Sequence, residues 1–253
     1  MIRARLLLIS LALIAVSMDL YAQRKPKIED NEDAYKTFTS AGLTTNTNSG
    51  ILGGFVFRQS SALSSKMFGK NQYRYLAVEL VNVKHPKELA EQNFSTGSRF
   101  VYGKRNYLFS LRPEYGREIT LFNRHEDEGI SISALLAAGP TLGLEKAYMV
   151  QFRNSDGRVE YRPIDASKAN PYENAVGGGN FFQGFGHIKV VPGVHVKAAV
   201  TFELSAFRES VTGVEIGFLG EAFTRKPEIM LFADNKSFFT SGYLTLYFGS
   251  KKK

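Results

Sequence analysis

The sequence predicts an all-β fold: a closed, antiparallel, up-and-down transmembrane β-barrel of eight strands, with ten as the alternative. Two patterns carry this. Apolar residues recur at every second position in several long segments, the signature of strands with two unlike faces. No stretch carries an amphipathic helical period beyond a turn or two near 86–92. The chain has 253 residues, 32 Lys+Arg against 24 Asp+Glu, 20 Phe, 12 Tyr, no Trp and no Cys. That length is ample for one barrel-sized core. The absence of Cys excludes a disulfide framework, a thiolate metal site, a cysteine nucleophile and a lipidated N-terminal Cys.

The N-terminus reads as a secretory signal peptide over residues 1–22. Arg3 and Arg5 precede the apolar run 6–16, and Leu20-Tyr21-Ala22 leads into the polar Gln23-Arg24-Lys25. Crossing the hydrocarbon as a helix needs about 20 apolar residues, and this run is much shorter. Residues 23–48, with Glu29, Asp30, Glu32 and Asp33, are expected to form a polar periplasmic segment, a tail or short plug. The barrel is expected over 49–248 and a basic tail over 249–253.

Eight strands are expected at 50–58, 73–84, 105–112, 117–122, 129–152, 194–205, 214–223 and 238–248. The clearest is 194–205. Val194, Val196, Ala198, Val200, Phe202 and Leu204 share one face, and His195, Lys197, Ala199, Thr201, Glu203 and Ser205 the other. In 214–223, Val214, Ile216, Phe218 and Ala222 oppose Glu215, Gly217 and Glu221, with Leu219 as a misfit. In 129–152, Ile132, Ala134, Leu136, Ala138, Leu142 and Leu144 oppose Ser131, Ser133, Gly139, Thr141, Gly143 and Glu145, with Leu135 as a misfit. Pro140 has no ladder donor and implies a bulge or an edge. Pro113–Gly116 reads as a short turn, and the connections 59–72, 153–189 and 224–237 as long outer loops.

Closure and orientation follow from the faces. A soluble sandwich would dress its polar face with Lys and Glu, whereas here that face is small, hydroxylic or singly charged. Such a set fits the lumen of an eight-stranded barrel, which has room only for side chains. Hydrocarbon offers no hydrogen bonds, so a sheet within it must close on itself. The lumen parity carries Glu79, Glu145, Glu203, Glu215 and Glu221 against Lys197 and Arg112. Buried charges need partners, so an acidic-rich ion-pair network is expected inside. Tyr and Phe at strand ends, among them Tyr75, Tyr107, Phe122, Phe223, Tyr243, Tyr247 and Phe248, are expected to form the interfacial girdle.

The C-terminal run Ser241-Gly242-Tyr243-Leu244-Thr245-Leu246-Tyr247-Phe248 resembles the terminal strand of bacterial outer-membrane barrels, followed here by five further residues. With the N-terminal leader and the Gly-rich strand Gly50-Ile51-Leu52-Gly53-Gly54, the chain resembles small outer-membrane β-barrel proteins of the Bacteroidetes type, similar in plan to OmpA- and OmpX-like barrels. The resemblance implies the cell outer membrane as location, contact with outer-membrane lipid and lipopolysaccharide, and recognition of the last strand by the barrel-insertion machinery. It implies no activity.

Motifs that carry chemistry are nearly absent from the sequence. His85, His125, His187 and His195 are scattered without metal-ligand spacing, and no nucleophile elbow or Walker loop occurs. The run Gly177-Gly178-Gly179-Asn180-Phe181-Phe182-Gln183-Gly184-Phe185-Gly186 is the most unusual stretch. It lacks the helix and Lys/Ser pair of a phosphate cradle and reads as a flexible outer loop re-entering the barrel, or as a binding loop whose Phe side chains insert into lipid or a partner. The net charge of +8 is spread along the chain, so nucleic acid is not an expected partner. No cofactor is expected. Three roles remain open: a non-enzymatic structural, adhesive or accessory barrel with an envelope protein partner; an outer-membrane enzyme acting on lipid; or a soluble lipocalin-like barrel whose apolar parity faces an internal ligand.

Overall fold

A computed structural model describes residues 36–92, 97, 99–122, 130–168, 170–204 and 210–252. The expected signal peptide, residues 23–35 and the expected turn at 123–128 lie outside them. In chain order the strands are β1 (Thr37–Asn46), β2 (Gly50–Ala62), β3 (Gln72–Val83), β4 (Ala90–Gln92), β5 (Arg99–Val101), β6 (Asn106–Phe122), β7 (Ser131–Ala147), β8 (Met149–Arg153), β9 (Val159–Pro163), β10 (Ala175–Gly178), β11 (Ile188–Glu203), β12 (Ser210–Phe223) and β13 (Phe238–Lys252). Eight of them close an antiparallel barrel in the order β1-β13-β12-β11-β7-β6-β3-β2. Strands β10, β8 and β9 make a separate sheet, and β4 pairs with β5.

The strand count matches the expectation through two compensating differences. Strand β1 lies inside the segment expected to be a polar tail, so the barrel begins at Thr37 and not at 49. Pro113–Gly116 is no turn: it is the middle of β6, which joins the two strands expected at 105–112 and 117–122. The last strand also runs on to Lys252, absorbing most of the expected basic tail. These differences set the sides. With β1 in place, 63–71 lies at the same end as the start of β1 and the end of β13, and 84–105 lies at the opposite end with 148–187 and 224–237. The three long connections therefore gather at one end, beside only the short turn 47–49.

Pro140 marks neither a bulge nor an edge. The β6–β7 register is the same at Leu111–Leu142 and at Tyr115–Ala138, so Pro113 and Pro140 stand opposite each other where the ladder is interrupted. The register of β7 with β11 runs through Val194–Pro140 without a shift. Two residues without N–H groups thus share one gap in the ladder.

Face assignment follows the expected parity. Val194 is 62% exposed and Val196 and Ile216 are also turned outward, whereas Lys197 is 1% exposed and His195, Thr201 and Glu215 are buried. The outer wall carries Phe55, Phe57, Val78, Leu80, Leu136, Leu142, Val200, Phe218, Leu246 and Phe248, all exposed. The misfits Leu135 and Leu219 point inward and pack together with Val56, Tyr75, Ala77, Ala137, Ala199 and Tyr243. Tyr75, Phe223, Tyr243 and Tyr247 are therefore lumen residues and do not belong to a girdle. Their bulk explains small neighbours: a Cβ on Gly217 would stand 2.8 Å from the Tyr243 hydroxyl, and one on Gly213 2.3 Å from that of Tyr247.

Candidate functional site

The lumen holds two charged clusters, each built by strands on different sides of the wall. In the first, Arg112 of β6 meets Glu221 of β12, Nε to Oε1 at 2.8 Å and Nη2 to Oε2 at 2.9 Å. Its Nη1 reaches Glu79 Oε2 at 3.2 Å, and Ser110 donates to Glu221 Oε2 at 3.1 Å. Lys197 joins through Glu114 Oε1 at 2.8 Å and Glu79 Oε2 at 3.6 Å. His195 stands with Nδ1 2.9 Å from the Thr141 hydroxyl and Nε2 3.8 Å from Glu114 Oε1.

In the second cluster, Arg58 of β2 donates from Nη1 to Glu215 Oε2 at 2.5 Å and from Nε to Ser40 at 3.0 Å. The Arg58 guanidinium lies 3.6 Å from the Tyr247 ring centroid, within cation–π range. Tyr243 donates to Glu215 Oε1 at 2.6 Å, and Ser60 donates to Glu118 Oε2 at 2.9 Å. Together the clusters hold the carboxylates of Glu79, Glu114, Glu118, Glu215 and Glu221 against Arg58, Arg112 and Lys197, all buried.

Of the residues singled out in the sequence, Glu79, Arg112, Lys197 and Glu221 come together in one cluster, and Glu215 belongs to the other. Glu145 and Glu203 join neither. Glu145 lies at the end of the long connections, where Arg225 grips it from Nη1 at 3.0 Å and Nη2 at 2.6 Å. Glu203 lies at the opposite end, paired with Lys251. Arg58, Glu114 and Glu118 were not singled out. Glu114 and Glu118 fell in or beside the supposed turn, which broke the parity. Arg58 closed a strand whose inward face otherwise reads as apolar or small.

The end bearing the long connections is roofed. Ile229 and Met230 from 224–237 pack on Val83, Leu108, Val191 and Phe223, so an apolar layer lies above the charged clusters. The roof is fixed by the Arg225–Glu145 pair, by Glu228 N donating to Glu145 Oε1 at 2.6 Å, and by Asn235, which accepts from Met230 N at 3.0 Å and donates to Met230 O at 2.7 Å. Beside it, Lys104 pairs with Glu88 over the Tyr107 ring at 3.8 Å. Burial pushes the Lys104 ammonium below its ordinary range, against the upward pull of Glu88. Tyr148, Val150, Phe152 and Ile164 form a third apolar cluster in and around the β8–β10 sheet.

The geometry defines the class: a closed eight-stranded barrel with a charged, tyrosine-lined lumen, an apolar roof and an apolar outer wall. Among the described residues no group of three or more His, Asp or Glu is placed to hold a metal ion. His195 and its hydroxyl and carboxylate neighbours are buried in the lumen, away from an outer rim where a lipid substrate would lie.

No protein-family model and no curated protein matches the chain. Among solved structures it is similar to Ail, the attachment invasion locus protein of Yersinia pestis. A complex of Ail with the heparin analogue sucrose octasulfate aligns at 10% identity and TM-score 0.36 over 85% of this chain and 97% of that one. Another Ail structure aligns at 8% identity and TM-score 0.37, over 86% and 98%. Neisserial surface protein A (NspA) aligns at 9% identity and TM-score 0.36, over 85% and 95%. The architecture given above rests on the strand register of this chain and not on these likenesses.

Proposed function

We propose that the chain is an integral outer-membrane β-barrel without catalytic activity, serving a structural, adhesive or envelope-accessory role through its long outer connections. One observation carries the reading: the alternation is inverted relative to a soluble barrel. Large apolar side chains cover the wall while charged residues lie buried in the lumen. In water that arrangement would expose a continuous apolar band, which soluble proteins avoid. In a bilayer it places hydrocarbon against hydrocarbon, and the closed barrel leaves no sheet edge open to lipid.

Two further features support it. The connections 84–105, 148–187 and 224–237 all lie at the end opposite the start of β1 and the end of β13, the asymmetry of outer-membrane barrels. The roof of Ile229 and Met230, above ion pairs that cross between opposite walls, supports a solid post and not an open pore. The lipocalin-like alternative required the apolar parity of 194–204 to face a cavity, and Val194, Val196 and Val200 face outward. On this reading the partners are outer-membrane lipid and lipopolysaccharide, the insertion machinery acting on β13, and an envelope protein meeting the outer connections.

Fractionation tests the reading. The full chain should remain with carbonate-washed outer membranes and migrate differently on gels before and after boiling. A freely soluble periplasmic pool in the absence of detergent would overturn it.

A further inference from the structure

We propose that the loop 179–187 is a preformed lipid anchor, holding Phe181, Phe182 and Phe185 among acyl chains at the outer edge of the barrel wall; this rests on the membrane reading above. The loop is pressed against the junction of β7 and β8 so closely that glycine is required. Gly179 N donates to Met149 O at 2.7 Å. Gly184 takes φ 86°, where a Cβ would lie 2.6 Å from Ala147 O. At Gly179 and Gly184 glycine is therefore a docking requirement, whereas a Cβ on Gly186 would meet nothing within 4 Å.

The turn between these glycines has its own bonds. Gln183 N donates to Asn180 O at 3.0 Å, Asn180 N to Gln183 Oε1 at 3.1 Å, and Phe182 N to Asn180 Oδ1 at 3.1 Å. Lys146 fastens it from beneath: Nζ donates to Phe181 O at 2.5 Å and lies 4.7, 4.8 and 4.8 Å from the ring centroids of Phe181, Phe185 and Tyr107. The backbone is thus ordered before any ligand arrives, and little conformational entropy remains to be lost on contact.

What this frame presents is apolar. Phe182 is 78% exposed, Phe185 51% and Phe181 44%. The patch is continuous with the outer wall, because Phe181 meets the rings of Tyr107 and Phe109 edge-on at 5.6 and 6.1 Å, both outward-facing residues of β6. Ile188 and Val190, exposed at the start of β11, follow directly in sequence. Continuity with the belt selects the occupant: whatever covers Phe109 and Val190 covers the loop, and for the belt that is lipid. Aromatic side chains at such a level suit the interface.

The chain has no Trp, so one introduced Trp is the sole indole emitter. The full-length variants F182W and V196W, each shown to be folded by its gel shift on boiling, are refolded into phosphatidylcholine vesicles brominated near the headgroup or near the chain end. Emission from F182W should shift to the blue and be lost with shallow bromines while resisting aqueous iodide, and V196W should be quenched by the deep bromines. If V196W behaves so but F182W is quenched by iodide, the loop lies in water and the proposal fails while the membrane reading stands. If F182W is sheltered from both quenchers, a protein surface or a second copy covers it, and the proposal also fails. If neither variant responds to bromine, the membrane reading falls with it.

Discussion

Arg112 of β6 grips Glu221 of β12 through two nitrogen–oxygen contacts of 2.8 and 2.9 Å, although β7 and β11 stand between those strands in the wall. Backbone ladders join only neighbours, so this pair ties opposite parts of the barrel through the lumen. Side chains from facing walls, and not an apolar core of the usual kind, hold the cross-section.

The first prediction concerns that tie. Replacing Arg112 by Leu leaves Glu221 without its cation and Glu79 with only Lys197 at 3.6 Å. Breaking a buried pair from one side costs about 3–5 kcal/mol. The variant should unfold at lower urea in detergent by that amount, and R112L/E221L should recover most of it. Equal losses in both variants would show that the pair contributes through packing alone.

Tyr243 gives a smaller, cleaner test. Its hydroxyl donates to Glu215 Oε1 at 2.6 Å, beside the Arg58 contact on the other carboxylate oxygen. Tyr243→Phe removes one donor and leaves the ring in place. A hydrogen bond to a charged group contributes about 1.5–3 kcal/mol, and the same urea titration should report a loss in that range. No loss would mean that the Glu215 carboxylate is held by Arg58 alone.

How far the sequence could be read depended on contrast between faces. Strand β11 was legible because Val194–Phe202 sets branched and aromatic residues against His195, Lys197 and Thr201. Strand β1 was not. Its outward parity mixes Thr37, Thr39 and Thr45 with Ala41 and Leu43, so only two positions contrast with the inward Ser40, Gly42 and Thr44, and a Cβ on Gly42 would stand 2.6 Å from Leu246 O. Pro113 and Gly116 resembled a turn, yet the proline faces Pro140 in the ladder gap, and a Cβ on Gly116 would meet Leu136 O at 2.4 Å. Parity identified which charges face inward. The pairing of Arg58 with Glu215 across the lumen depends on barrel stagger, which no local pattern encodes.

The outer wall makes a prediction of opposite sense to the lumen. Val196→Lys puts an ammonium in the belt between Ala138 and Gly220. Near the bilayer midplane such a change costs about 2–4 kcal/mol. Refolding into vesicles should yield less boiled-shift species than the parent chain, with the deficit shrinking in a short-chain detergent. An unchanged yield in vesicles would contradict the membrane reading.

A pH dependence follows from Asp165 in the connection between β9 and β10. The Ser167 hydroxyl donates to its Oδ1 at 2.6 Å and Ser167 N at 3.1 Å, and these bonds hold the carboxyl below its usual range. A lowered folded-state value means that the turn's contribution is complete above the ordinary Asp value of about 3.9 and is lost as pH falls through the folded value. Titration of the Asp165 side chain by NMR should give a midpoint below that of S167A. Identical midpoints would show that the hydroxyl bond does not persist in solution.

One amide holds the centre of the roof over the lumen. Asn235 accepts from Met230 N and donates to Met230 O, holding both backbone groups of a residue packed over Leu108 and Val191. Asn235→Ala leaves that donor and acceptor unpaired, each at about 1–3 kcal/mol. Local opening should then dominate over global unfolding. Hydrogen exchange at the Met230 amide should accelerate about ten- to hundredfold, at 1.4 kcal/mol per tenfold, while the Thr201 amide in the wall keeps its rate. Asn235→Asp retains the acceptor for Met230 N and loses only the donor to Met230 O, so its exchange rate should fall between the two. Uniform acceleration at both amides would mean that the roof and the barrel open as one unit, and that 224–237 is part of the wall's cooperative structure.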